Sequence, residues 1–260
     1  MSAYDPKRTL QHHHRTVFAP PIRPVIRRVR LFATLVGLVA LPVVGYIAWN
    51  HFSEVADMLS CTESTGTVES RITACTRVIE SARLNTQYLA ATYYGRAYLL
   101  SDKGDHDRAI SDYSEAIRLD PQNADDYYAR GREWLMKGER DHAIADYSEA
   151  IRLNPQSAHA HFGRGRAWHE KGNYDGAIAD YNEAIRLDPQ YVFAYQNRAD
   201  AWLVKHDYDR AISDYDQVIR LNPQNKDAFR ARATAFLQKG ENARAEADMR
   251  QVNRANGLGK

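Results

Sequence analysis

Histidine and cysteine have the widest chemical reach in this chain. His159, His161 and His169 fall close together, and His12, His13 and His14 are consecutive. Imidazoles hold a metal when three or four ligands converge. Side chains two apart on a helix point to different sides, so the first group does not converge. The second lies in a tail interrupted by Pro20, Pro21 and Pro24. No metal and no other cofactor is expected. The sequence has no G-x-x-x-x-G-K-[ST] phosphate loop, no H-E-x-x-H and no G-x-S-x-G elbow. Gly163-Arg164-Gly165 has no strand before it to make a dinucleotide turn. No catalytic residue stands out, and the chain reads as a non-enzyme. Cys61 and Cys75 are too few for a thiolate metal site or a disulfide framework. They form either one bridge or two buried thiols.

The elements that would position any site announce themselves by period. Pro121, Pro155, Pro189 and Pro223 are spaced by 34, as are Gly104, Gly138, Gly172 and Gly240, with His206 in the missing place. Ala109, Ala143, Ala177, Ala211 and Ala245 keep the same register, and so do Tyr113, Tyr147, Tyr181 and Tyr215. In the unit Ala90–Asn123, a helix over 90–103 ends at Gly104, because glycine accepts the left-handed conformation that follows a helix. A second helix over 106–119 carries Ile110, Tyr113 and Ile117 on one face. Asp120-Pro121 stops it, since proline bars the preceding residue from helical backbone. Ala97 and Ala109 are small where the two helices must cross.

These residues resemble the tetratricopeptide repeat family, whose pattern places small residues, an aromatic and a proline at these spacings. The resemblance covers 90–259 in five units: 90–123, 124–157, 158–191, 192–225 and 226–259. It implies an all-α, right-handed α-solenoid of helix–turn–helix units whose first helices line a concave groove. The ligand commonly meets the second, fifth, ninth and twelfth places of each first helix. Here these are Tyr94 and Tyr98, then Tyr128 and Arg132, then His159, Phe162, Arg166 and His169. The fourth unit adds Phe193, Gln196 and Asp200, and the fifth Arg230. The expected client is a protein or peptide. The family's carboxylate clamp for chaperone C-termini is matched only by Asn197. The last unit departs from the pattern: Met249 replaces the tyrosine and Asn253 the isoleucine, which makes its outer face more polar.

Charge repeats too. Arg96, Arg130, Arg164, Arg198 and Arg232 take the seventh place of each unit, and Asp112, Asp146, Asp180, Asp214 and Asp248 the twenty-third. Buried charges need partners, so an Arg–Asp pairing within or between units is expected, the other reading being an arginine-lined ligand groove.

Residues 51–89 read as a helical hairpin capping the array, with helices over 53–62 and 68–81. Ile72, Cys75 and Ile79 mimic Ile110, Tyr113 and Ile117 at an offset of 38. Cys61 and Cys75 on facing helices would be oxidised if exported.

Residues 1–30 carry seven Lys/Arg against one acid, which leaves the rest of the chain net acidic. A nucleic-acid partner is not expected, because phosphate requires a clustered basic face. Leu31–Trp49 has no charged residue, and as a helix it would reach about 28 Å, near the thickness of a bilayer core. It is expected to be a transmembrane helix, 31–50, behind a basic, disordered cytoplasmic tail, 1–30. A cleaved leader and a buried helix are the competing readings. The arginines before the span place the N-terminus in the cytoplasm. The expectation is a scaffold held in a bacterial inner membrane by a single span, with its repeats in the periplasm and a role in an envelope complex. The alternatives are a receptor on an organelle membrane facing the cytosol, or a regulatory subunit of an enzyme complex. Self-association is left open.

Overall fold

The computed structural model describes residues 61, 66–81 and 84–255. The chain divides into two compact units, Met1–Lys103 and Gly104–Lys260, taken in turn.

In the first unit, α1 (Val68–Glu80) and α2 (Thr86–Asp102) pack together. The Thr67 side chain caps α1 by accepting from the Ser70 amide. Asn85 does the same for α2 through the Tyr88 amide, 3.0 Å away. That cap starts α2 ahead of Ala90, where the repeat register alone would begin it. Cys75 is buried on α1 and joined to Cys61 in a disulfide. Around the bridge lie Ala74, Leu99, Val68 and Ile72. The rest of the hairpin's expected first helix, residues 53–60 and 62, lies outside the described residues. The sequence separation of 14 sets the bridge's worth near 3 kcal/mol in the chain-entropy account. Changing both cysteines to serine is therefore expected to lower stability by about that amount. Urea unfolding should place the variant beside reduced wild type; a variant as stable as the oxidised protein would contradict this.

The second unit stacks α3 (His106–Leu119), α4 (Ala124–Met136), α5 (Arg140–Leu153), α6 (Ala158–Glu170), α7 (Tyr174–Leu187), α8 (Val192–Val204), α9 (Tyr208–Leu221), α10 (Lys226–Gln238) and α11 (Asn242–Ala255). Within this unit, helices adjacent in sequence pack on one another. This is the all-α, right-handed helix–turn–helix solenoid that the sequence implies. Gly138, Gly172 and Gly240 turn the chain between first and second helices with positive φ, and His206 takes that conformation at φ 60°.

The core forms where a second-helix tyrosine meets alanines and glycines. Tyr147, Tyr181 and Tyr215 are fully buried. A Cβ on Gly163 would stand 2.6 Å from the Tyr147 ring, and one on Gly165 2.8 Å from Tyr181. These two glycines let α6 press against both rings.

The expected transmembrane helix is corrected. Among the described residues no helix is long and apolar enough to cross a membrane. The longest of them, α2, has 17 residues and contains Arg96, short of the roughly 20 apolar residues a span needs. Leu31–Trp49, on which the expectation rested, lies outside the described residues. No described helix supports the single-span membrane partnership, nor the inner-membrane placement with a cytoplasmic N-terminus and a periplasmic domain.

Candidate binding groove

In the second unit the first helices α4, α6 and α8 lie side by side, so their matching faces form one row. Tyr128 is half-buried on α4, its ring 5.7 Å from that of Tyr147. Arg132 turns to its neighbour Glu133, donating through Nη2 at 2.8 Å. Glu133 is fully buried and also meets His106 Nδ1 at 2.7 Å. Arg166 reaches Glu170 at 3.5 Å. His169 lies edge-on to Tyr174. Burial, then the nearby Arg166 charge, holds its pKa below the usual imidazole value. Asp200 accepts from the Tyr215 hydroxyl at 2.5 Å, and burial raises its carboxyl pKa. The Tyr181 hydroxyl is buried without a hydrogen-bond partner among the described residues.

Three of the expected residues gather around one that the sequence reading passed over. Tyr191 is buried. Its hydroxyl meets His159 Nδ1 at 2.9 Å, and its ring lies 4.9 Å from Phe162. Phe193 packs on the same cluster. Phe162 is itself buried, so its ring belongs to the core rather than to an open face. Gln196 is half-buried further along α8. Arg230 is an exposed residue paired with Asp227, one turn away on α10. Tyr94 and Tyr98 are half-buried on α2, in the other compact unit.

Tyr191 stands in the place where Asn123, Ser157 and Asn225 cap α4, α6 and α10 with their side chains. It makes no such cap for α8. Asn at that place is worth about 1 kcal/mol as a cap, against about 2–3 kcal/mol for the lost aromatic burial. Tyr191→Asn is expected to cost a net of about 1–2 kcal/mol and to leave α8 formed. Thermal denaturation checks the first statement and helical ellipticity the second; a more stable variant would show that the His159 and Phe162 contacts are slack.

The repeated arginines face the joints between helices. In the second to fifth units each is a bidentate fork on the aspartate of its own unit: Arg130 on Asp146 at 2.8 Å, Arg164 on Asp180 at 2.8 Å, Arg198 on Asp214 at 2.8 and 2.6 Å, Arg232 on Asp248 at 2.8 and 2.7 Å. Arg96 donates to Thr76 at 2.9 Å, and Asp112 is buried. Burial pushes the Asp180 carboxyl up, but the bonds from Arg164, with the His161 ring 3.5 Å away, outweigh that and hold it below the ordinary range. His159, His161 and His169 thus have separate neighbours. Among the described residues no group of three metal-ligating side chains gathers; His12, His13 and His14 lie outside them.

Asp126, Glu133 and Tyr191 were all missed, and one signal could have found them. Asp126 takes a place held by Thr92, Ala160, Ala194 and Ala228 in the other units, and Glu133 one held by Leu99, Ala167, Ala201 and Ala235. Departures within a repeat column mark local purpose.

Stacked helix–turn–helix hairpins define an α-solenoid. Models of the tetratricopeptide repeat match residues 90–123, 128–192 and 197–257. The chain belongs to the tetratricopeptide repeat family. Such repeats are non-catalytic protein-binding scaffolds, and the chain is not an enzyme. Among solved structures it is similar to the MamA protein at 24% identity, covering 65% of this chain and 92% of that one, with a TM-score of 0.61. It is similar to YrrB, described as a repeat protein with an unusual peptide-binding site, at 21% identity, 70% and 92% coverage and a TM-score of 0.59. A tetratricopeptide repeat protein from Parabacteroides merdae aligns at 20% identity over 78% of this chain and 80% of its own, with a TM-score of 0.68. At these identities the likeness is one of fold. No curated protein matches the chain in sequence.

Proposed function

We propose that the chain is a scaffold or regulatory subunit that holds an extended peptide segment of a partner protein across α6 and α8. The observation that carries this reading is Tyr191. A cap used by the neighbouring units is given up there, and an aromatic side chain joins His159, Phe162 and Phe193 instead. Aromatics, with arginine, are the side chains that most often anchor an interface. The peptide-binding site named for YrrB makes a peptide the natural first ligand to test.

Random twelve-residue peptides displayed on phage would be selected on the full chain. Selected peptides should bind with loss of about tenfold or more on His159→Ser and Phe193→Ser, the scale of an interface anchor. Arg152→Ser, on the outer second-helix face, should leave binding unchanged. Peptides indifferent to the first two changes, or sensitive only to the third, would overturn the assignment.

A further inference from the structure

Three side chains recur at the joints between units in the Gly104–Lys260 body. The first is a lysine at the end of each first helix, which reaches an aspartate on the second helix of the preceding unit. Lys137 takes Asp107, Lys171 takes Asp141, Lys205 takes Asp175 at 2.7 Å and Lys239 takes Asp209 at 2.5 Å. The second is the free arm of the fork arginine, which also reaches back one unit. Arg130 Nη1 donates to Ser114 at 2.9 Å, Arg164 to Ser148 at 3.1 Å, Arg198 to Asn182 at 2.5 Å and Arg232 to Asp216 at 2.5 Å. The third is the buried tyrosine, whose ring seats the next first helix: Tyr147 against Gly163, Tyr181 beside Ala194 and Tyr215 beside Ala228.

On α11 the same three places hold Ala243, Arg250 and Met249. The lysine acceptor is gone. The guanidinium acceptor has become a guanidinium, with its side chain 62% exposed and Glu246 3.6 Å away. The ring seat has become a methionine, 40% exposed. A unit arriving in register would set its fork arginine against Arg250 and its lysine against a methyl group. Like charges brought together at a joint cost stability and select against that partner.

We propose that α11 is a terminator: its outer face rejects any tetratricopeptide unit stacking in register, whether an added repeat or one from a second copy of this chain. A mere increase in polarity would keep the end hydrated; inverting the charge at the acceptor place excludes a specific partner. Higher assembly through stacking in register is barred at this face.

The test adds a unit to the full chain. A copy of residues 221–260 is fused behind Arg254, supplying a natural connector and a natural incoming helix. One form keeps α11 unchanged. The other carries Ala243→Asp, Met249→Tyr and Arg250→Asp, which rebuild the joint found between the fourth and fifth units. In the unchanged form the added unit should unfold separately, at lower urea than the rest. In the triple variant it should join the main transition and raise its midpoint. The triple variant without the added unit must show the wild-type helical signal. An added unit that couples equally well to the unchanged face would overturn the proposal, and so would one that couples to neither.

Discussion

Replacing Arg198 by methionine is expected to cost about 3–4 kcal/mol, as found when one partner of a buried ion pair is removed. Asp214 is only 4% exposed and takes both arms of the Arg198 fork, at 2.8 and 2.6 Å. Without that fork it is a desolvated carboxylate facing α8. Arg198 also donates to Asn182 and lies over the Tyr195 ring, 5.6 Å from its centroid, so the change loosens the joint with the third unit as well. Lysine cannot reproduce the fork, and Arg198→Lys should lose about 1–2 kcal/mol. The double change Arg198→Met with Asp214→Leu should recover most of the loss, because an apolar pair of similar volume leaves no charge stranded. Because repeat arrays open piecewise, hydrogen exchange in α8 and α9 is the better measure. A loss below about 1 kcal/mol in Arg198→Met would mean that the fork contributes no more than an exposed pair.

Asp126→Ala should do the reverse and stabilise the protein. Asp126 is 1% exposed on α4 and accepts a bond from Asn123 Nδ2 at 3.1 Å. Burial, reinforced by the charges of Asp120 and Asp125, pushes its pKa up to about 8. The unfolded chain ionises the same group near 4. Between these values the unfolded state releases a proton that the folded state keeps. Wild-type stability therefore falls as pH rises from about 4 to about 8, by up to ~1.4 kcal/mol per unit for this one group. Alanine, which the third, fourth and fifth units carry at this place, removes the penalty. The gain is expected to be about 2–4 kcal/mol at pH 8 and to shrink steadily toward pH 4. A gain independent of pH would show that the carboxyl is not the cause, and a loss would show that it is satisfied.

The repeat register carried most of the architecture. His106–Leu119 is helical as the spacing of Ile110, Tyr113 and Ile117 requires, because its ends are set by local chemistry: a cap at Asp105 and Pro121 beyond. α2 begins at Thr86, ahead of the family register, since a cap outranks a column position. The expected groove residues were legible as a row but not as a surface. Phe162 sinks into the core because Gly163 and Gly165 bring α6 onto two tyrosine rings. Arg132 is engaged by Glu133, which a search for exposed first-helix places does not reach. Hydropathy alone suggested a lipid-spanning helix, and it says nothing of whether a run is presented to lipid.

The joints hold two kinds of ionic link with different fates in salt. The forks sit on aspartates no more than about one-twelfth exposed, whereas Asp107, Asp141, Asp175 and Asp209 on the lysine side are 76–82% exposed. Mobile ions screen the second set and scarcely touch the first. Each seam therefore behaves as a hinge with a fixed pin and a releasable latch. Brine would let adjacent hairpins swing about the pin while every helix stays wound, so ionic strength becomes a dial on the pitch from one hairpin to the next.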